Sequence, residues 1–248
     1  MRLVWLALLV VPVALCANNY VVVELFTSEG CSSCPSAERM LANLEQTQPV
    51  PGVRVIALEE HVDYWNQLGW KDMFSSPQFR FRQNDYAKLF GVEEVYTPQM
   101  VVGGLAGFSG NSYEMAIKEI TKRGAGLQDD LRLTTSSNKS NPSLVDLHVA
   151  GQSRGLSNKG ALLYLAITES GIASNVTRGE NSGRYLKHAS LVRSFGVIGT
   201  VEQSNPAWDV TSTLQLPADW KRENLRAVVF LQDKRFKRIS CASALDLR

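Results

Sequence analysis

Two cysteines stand two residues apart in the stretch "EGCSSCPSAERM", at Cys31 and Cys34. Thiols at this spacing have three uses: a local disulfide staple, half of a metal site, or a redox pair in which one sulfur attacks and the other resolves. A zinc centre usually needs a second pair of ligands, and the chain holds no second Cys-x-x-Cys and no His-x-x-x-His. The flanking residues favour the redox use. An apolar run, "YVVVELF", leads in as a strand, and "PSAERMLANLEQ" leads out as a helix. Backbone N–H groups at such a helix start, and the helix dipole, stabilise negative charge on Cys31. Its thiol is then more acidic than a free cysteine, whose pKa is about 8.5. Cys34, one turn along, is placed to resolve a mixed disulfide.

Two further stretches carry chemistry-bearing side chains. In "EEHVDYWNQLGW", His61 and Asp63 fall at the end of a strand, on one side by alternation. The C-terminal ends of parallel strands are where ligands collect in α/β sheets. His61 is a candidate acid or base, a copper(I) ligand beside the cysteines, or a histidine that only organises its loop. Trp65 and Trp70 are read as a lid or as core. In "RGENSGRYLKH", Arg178, Glu180, Asn181, Arg184 and His188 are too polar and too dense for a routine hairpin. They fit substrate or anion binding through the arginines, or a structural ion-pair network. The substrate-binding candidates are therefore His61, Asp63, Arg184 and His188.

The elements that must position these groups change character midway. The first half alternates strand and helix. Residues 20–26 form a continuous apolar strand, as expected where both faces are covered. A helix follows with Pro35 in its first turn and Met40, Leu41 and Leu44 at helical spacing. "PGVRVIALEEH" is a second strand, a helix begins after Ser76-Pro77, "QMVVGGLAGF" is a strand with a glycine turn, and "NSYEMAIKEITKRG" is a closing helix. This is the pattern of a compact sheet covered by helices. The second half holds short alternating runs separated by Gly, Asn, Pro and Asp, the signature of an antiparallel β-sandwich. The expected organisation is a signal peptide over 1–17, an α/β domain over 18–128 and a β-sandwich domain over 129–248.

The signal peptide rests on "MRLVWLALLVVPVALCA": one basic residue, an apolar run over residues 3–15, then small residues. That run is shorter than the roughly 20 residues that span a bilayer, so no membrane span is expected. "VALC" also resembles a lipoprotein signal ending at Cys16, although Leu15 is large for the position before such a cysteine. Either reading puts the chain in an oxidising compartment, periplasmic or secreted, where disulfides form. Of the four cysteines, Cys241 lies in an alternating stretch and reads as a small buried hydrophobe. With 26 basic and 24 acidic residues, no basic block and no basic stripe, nucleic acid is not an expected partner.

"VVVELFTSEGCSSCPSAERML" together with "VYTPQMVVGG" resembles the thioredoxin superfamily. The resemblance implies that Thr97-Pro98 faces the dithiol with a cis bond, shaping the groove for an extended substrate. It also matches Glu24, with one residue of slippage, to the buried acid that moves protons to the inner cysteine. With "HVDYWNQLGWKDMFSSPQF" and "GENSGRYLKHASLVRSF", the likeness narrows to a bacterial family of secreted thioredoxin-like proteins catalogued only as a domain of unknown function. Ser32-Ser33 replaces the usual Gly-Pro between the cysteines, and Gly30 stands where an aromatic is common. The leading expectation is an exported thiol-disulfide oxidoreductase acting on a thiol or disulfide in a protein or small-molecule partner. Cys31 is its nucleophile, Cys34 its resolving thiol, Thr97 and Pro98 its groove and Glu24 its proton relay, with no cofactor and no metal. The alternatives are a copper(I)-binding or delivery protein using the same cysteines, and a non-catalytic thioredoxin-like binding module.

Overall fold

Valine-rich sequence favours extended backbone because two heavy atoms on Cβ restrict χ1. The first strand, β1 (Asn19–Thr27), is buried from Val21 onward, consistent with cover on both faces. The computed structural model describes residues 19–126, 129–138, 141 and 144–247. The expected signal segment, with Cys16, lies outside the described residues.

The first half folds as α/β. β1 pairs in parallel with β2 (Val53–His61) and antiparallel with β3 (Gln99–Val102), which forms a hairpin with β4 (Ala106–Ser109). Helix α1 (Cys34–Thr47) starts with Pro35 in its first turn; Ala37, Leu41 and Leu44 are fully buried. Each buried leucine contributes about 1.5–3 kcal/mol relative to exposure. Helix α2 (Pro77–Phe90) is capped by the Ser76 hydroxyl, which accepts from the Gln78 amide at 3.2 Å, and ends on Gly91 at φ 66. Helix α3 (Tyr113–Gly124) packs its last residue so tightly that a Cβ on Gly124 would meet Val53 Cγ2 at 2.2 Å.

The second half is all β: β5 (Asp130–Ser137), β6 (Leu144–Gln152), β7 (Ala161–Glu169), the hairpin β8 (Ile172–Asn175) and β9 (Tyr185–His188), then β10 (Leu191–Val201), β11 (Ala207–Gln215), β12 (Leu225–Asp233) and β13 (Ile239–Asp246). β11-β6-β5 stack against β13-β12-β7-β10 through Leu147, Val149, Leu163, Leu165, Val229 and Leu231, which gives the expected sandwich.

The halves also share a sheet, which the sequence pattern did not foretell. β10 continues the open edge of β2, with Leu191 opposite Glu59 and the Glu59 amide bonded to the Ser190 carbonyl at 3.0 Å. The result is one eight-stranded sheet, β13-β12-β7-β10-β2-β1-β3-β4. One face carries α1 and α3 beside the smaller sheet. On the other face, Phe79 and Tyr86 of α2 pack with Val22, Phe26, Ile56 and Leu58 of the first half and Val228 and Phe230 of the second. Among the described residues no helix is long and apolar enough to cross a membrane.

Candidate functional site

The turn after β1 brings the first cysteine to the mouth of α1. The Cys31 amide donates to the Ser28 carbonyl at 3.1 Å, and the Cys34 amide to the Cys31 carbonyl at 3.2 Å, so the motif closes into a tight turn ahead of the helix. Cys31 and Cys34 form a disulfide with Cα atoms 5.4 Å apart. The sulfurs are buried, with the cysteines 1% and 0% exposed, while Ser32 and Ser33 between them reach solvent.

The Thr97–Pro98 peptide bond is cis, as expected. Trp65 links this segment to the motif. Its indole N–H donates to the Thr97 hydroxyl at 2.8 Å, and its Cβ would lie 3.1 Å from a Cβ on Gly30, the residue before Cys31. A side chain at position 30 would press on the Trp65 Cβ, so the backbone of Trp65 packs closely on the residue before Cys31. Gly110 backs Pro98 against the start of α1: a Cβ on it would lie 2.8 Å from Pro98 Cβ and 3.2 Å from Ala37 Cβ.

The polar stretch after β8 faces the motif and fastens it. Buried Asn181 donates to the carbonyls of Glu29 at 2.8 Å and Cys31 at 2.9 Å. Glu180 accepts from the Ser32 amide at 3.0 Å, and hydrogen bonding from the Ser32 hydroxyl, then from its amide, holds the Glu180 carboxyl below the usual range. Arg184 donates to Asn181 Oδ1 at 2.8 Å and reaches the Ser32 carbonyl at 3.4 Å.

Beneath the motif, on the α1 face of the sheet, lies a fully buried group of carboxylates and imidazoles. Residues 59 and 61 of β2 share this face by alternation. His61 Nδ1 lies 2.6 Å from Asp72 and its Nε2 2.8 Å from Glu59 Oε1. His188, at the end of β9, places Nδ1 2.6 Å from the same Glu59 oxygen and Nε2 3.1 Å from Glu29. Glu38 enters from α1, one turn past Cys34, accepting from the Thr27 hydroxyl at 2.5 Å. Trp70 covers the group, its indole donating to Glu29 at 2.7 Å. Burial opposes every charge here, but the carboxylate bonds outweigh it for the histidines: His188 is raised to about 9 and His61 well above its ordinary value. The same contacts hold Glu29, Glu59 and Asp72 low despite burial. Glu38 is the exception: burial, then the Glu59 charge, raise it to about 7.

Several expected placements are corrected. Glu24 is buried, but on the α2 face, away from α1, where it accepts from Arg82 at 2.5 Å and Tyr86 at 2.6 Å. Strand alternation sends residues 24 and 60 to one side and 59 and 61 to the other, so Glu24 lies on the face of the sheet opposite α1, the helix that begins at Cys34. Asp63 lies beyond the end of β2 and pairs with Arg80 at 2.8 Å, apart from His61. His61 and His188 do meet, their rings 4.9 Å apart, but both are buried and present no atom to an incoming substrate. Among the described residues, the possible ligand atoms that gather around His61 belong to Glu38, Glu59 and His188, and neither cysteine is among them. Arg184 alone of the four stands at the exposed edge of the motif. Sequence reasoning missed Glu38 and Glu59, although the signal was present. Glu38 sits three residues before Leu41 on the buried stripe of α1, and Glu59 is a buried acid directly after the apolar run of residues 55–58 in β2.

The sequence family described as "Protein of unknown function (DUF1223)" matches residues 22–232. No curated protein is significantly similar in sequence. Among solved structures, the crystal structure of a protein from Agrobacterium tumefaciens is similar at 27% identity and a TM-score of 0.65, over 94% of this chain and 96% of that one. HBP35 of Porphyromonas gingivalis is similar at 14% identity and a TM-score of 0.62, over 93% of this chain and 76% of that one; at that identity the likeness is one of fold.

Proposed function

The chain belongs to the DUF1223 family, and on that premise we propose that it is an exported thiol-disulfide oxidoreductase, periplasmic or secreted. The observation that carries the reading is the Cys31–Cys34 disulfide set across the start of α1 in a thioredoxin-like sheet, with the cis Thr97–Pro98 segment linked to the motif through Trp65 and to α1 through Gly110. A partner thiolate attacks the Cys31 sulfur, the Cys31–Cys34 bond breaks, and Cys34 leaves as a thiolate stabilised at the helix start. A second partner thiol then attacks the partner's own sulfur in the mixed disulfide. Cys31 leaves, the partner carries the new disulfide, and this chain has gained two electrons and two protons. In the reverse direction the reduced Cys31 attacks and Cys34 resolves.

Thr97 and Pro98 border the groove, and Arg184 stands at its rim beside Ser32. Because both sulfurs are buried, exchange requires the clamp of Asn181, Glu180 and Arg184 to release the turn. Export is supported by the N-terminal apolar segment and by a cysteine pair suited to an oxidising compartment.

Trapping in vivo tests the reading. Cys34→Ala accumulates mixed disulfides with partners and Cys31→Ala does not, since attack begins at Cys31 and only Cys34 resolves it. Equal trapping by both variants, or none by either, together with a reduction potential below about −300 mV, would make the disulfide a structural staple.

A further inference from the structure

The two buried histidines are held in an arrangement that protons alone fill awkwardly. His61 Nε2 and His188 Nδ1 converge on one oxygen, Glu59 Oε1, at 2.8 and 2.6 Å. Their outer nitrogens each face another carboxylate, His61 Nδ1 on Asp72 and His188 Nε2 on Glu29. An ionised carboxylate only accepts, so four such contacts require four N–H groups and two imidazolium rings. Those two positive rings stand 4.9 Å apart in a fully buried site, where like charges disfavour each other.

One divalent cation replaces the two inner protons without changing the total charge. The rings become neutral, their inner lone pairs ligate, and their outer N–H groups keep the bonds to Asp72 and Glu29. Carboxylates on the outer nitrogens are how proteins commonly orient histidine ligands on a metal. A third and a fourth ligand are in place. Glu59 is already shared by both rings, and Glu38 Oε2 lies 3.9 Å from His188 Nδ1 while its other oxygen is occupied by Thr27. One donor atom from each of Glu38, Glu59, His61 and His188 falls within 4.8 Å of the others. A tetrahedral ion with bonds of about 2.0–2.1 Å holds its ligand atoms roughly 3.3–3.4 Å apart. That spacing lies between the 2.6 Å of the tightest pair and the 4.8 Å outer bound.

We propose that Glu38, Glu59, His61 and His188 form a binding site for a divalent transition-metal cation of the zinc class, with Asp72 and Glu29 orienting the two histidines. Two imidazoles with two carboxylates favour zinc or cobalt(II) over calcium or magnesium, which take oxygen ligands. No sulfur is in the ligand set, so the site loads whether the cysteines are oxidised or absent. It stands or falls independently of the oxidoreductase reading.

The test uses the exported chain, stripped with a chelator and loaded with zinc in two ways: titration of the native oxidised protein, and refolding in the presence of the metal. One equivalent is expected by either route, with about two protons released per ion on native titration and a higher Tm. Cobalt(II) should give tetrahedral d–d absorption with no thiolate-to-cobalt band, and Cys31→Ser/Cys34→Ser should bind the same equivalent. His188→Gln and Glu59→Gln should lose it. No uptake by either route would overturn the site, as would a thiolate band or loss of binding in the double cysteine variant. Full binding by folded His188→Gln and Glu59→Gln would likewise overturn it, showing an adventitious surface ion. Should those variants not fold, the cobalt spectrum of the wild-type chain decides the ligand type.

Discussion

His188 stands edge-on to His61, ring centroids 4.9 Å apart, although the first ends a hairpin of the all-β half and the second ends a strand of the α/β half. The contact exists because β10 extends the free edge of β2, which sets β9 over the cysteine turn. The polar segment preceding β9 is thereby bonded to the cysteine turn, through Glu180, Asn181 and Arg184.

Asn181→Ala tests the clamp. The substitution removes two donated hydrogen bonds and one accepted from Arg184; the Cys31 carbonyl keeps the Cys34 amide, but the Glu29 carbonyl loses its Asn181 donor, at a cost of about 1–3 kcal/mol. Reduction of the native disulfide by dithiothreitol should accelerate by roughly tenfold, equivalent to about 1.4 kcal/mol in the barrier. A destabilised variant whose disulfide is reduced at the wild-type rate would show that the clamp does not gate the sulfurs.

Gly110→Ala tests the seating of the Pro98 segment. The added methyl would sit 2.8 Å from Pro98 Cβ, 2.9 Å from Leu25 Cδ1 and 3.2 Å from Ala37 Cβ. Overpacking of this kind costs about 1–3 kcal/mol. Thermal unfolding should register the loss, and exchange with a model disulfide should slow because the methyl forces the segment away from the start of α1. Wild-type stability and rate together would show that the segment has slack there.

Glu60→Gln tests the opposite face of the sheet. Burial, then the neighbouring Glu24 charge, raise the Glu60 carboxyl well above its ordinary value, with Arg82 3.8 Å away in partial compensation. A carboxyl with a raised folded pKa binds its proton more tightly folded than unfolded. Its stabilising effect is therefore present below the unfolded pKa of about 4.3 and is lost as pH rises toward the folded value. Each pH unit in that window costs about 1.4 kcal/mol. Glutamine does not titrate, so denaturant unfolding should give equal stabilities near pH 4 and a more stable variant at pH 7. A variant less stable at pH 7 than at pH 4, relative to wild type, would show that Glu60 is ionised and paired in the folded protein.

Cys241 should be chemically silent in the native state. It is buried within the sandwich core, and burial, aided by the Asp129 charge, pushes its thiol far up. Since the thiolate is the reactive form, a maleimide should label no cysteine in the native oxidised protein from which residues 1–17 have been removed. Unfolding without reductant should expose one thiol and reduction should expose two more. Labelling of the native oxidised protein at neutral pH would contradict the burial.

Local pattern made the elements readable. The valine run of β1, the Ser-Pro start of α2 and the period-2 runs of the second half each express a preference that neighbouring residues satisfy among themselves. The cysteine motif at the start of α1 was legible for the same reason, because strand, turn and helix follow within a few residues. Alternation pairs His61 with Asp63 in the sequence, but β2 ends at His61; within the strand it is residues 59 and 61 that share one face, with residue 60 on the other. What alternation cannot specify is which face meets which helix. That choice, made by the packing of α1 and α2 on opposite sides of the sheet, sent Glu24 to Arg82 and Tyr86 and gave the place beneath the cysteine turn to Glu38. Nor could sequence pattern bring His188 to Glu59, 129 residues away. A single parallel bridge, Leu191 to Glu59, joins the two halves of the eight-stranded sheet there. Pairing of that kind depends on edges that exist only once both halves have folded, because a strand edge recruits another strand through backbone groups that every sequence carries alike.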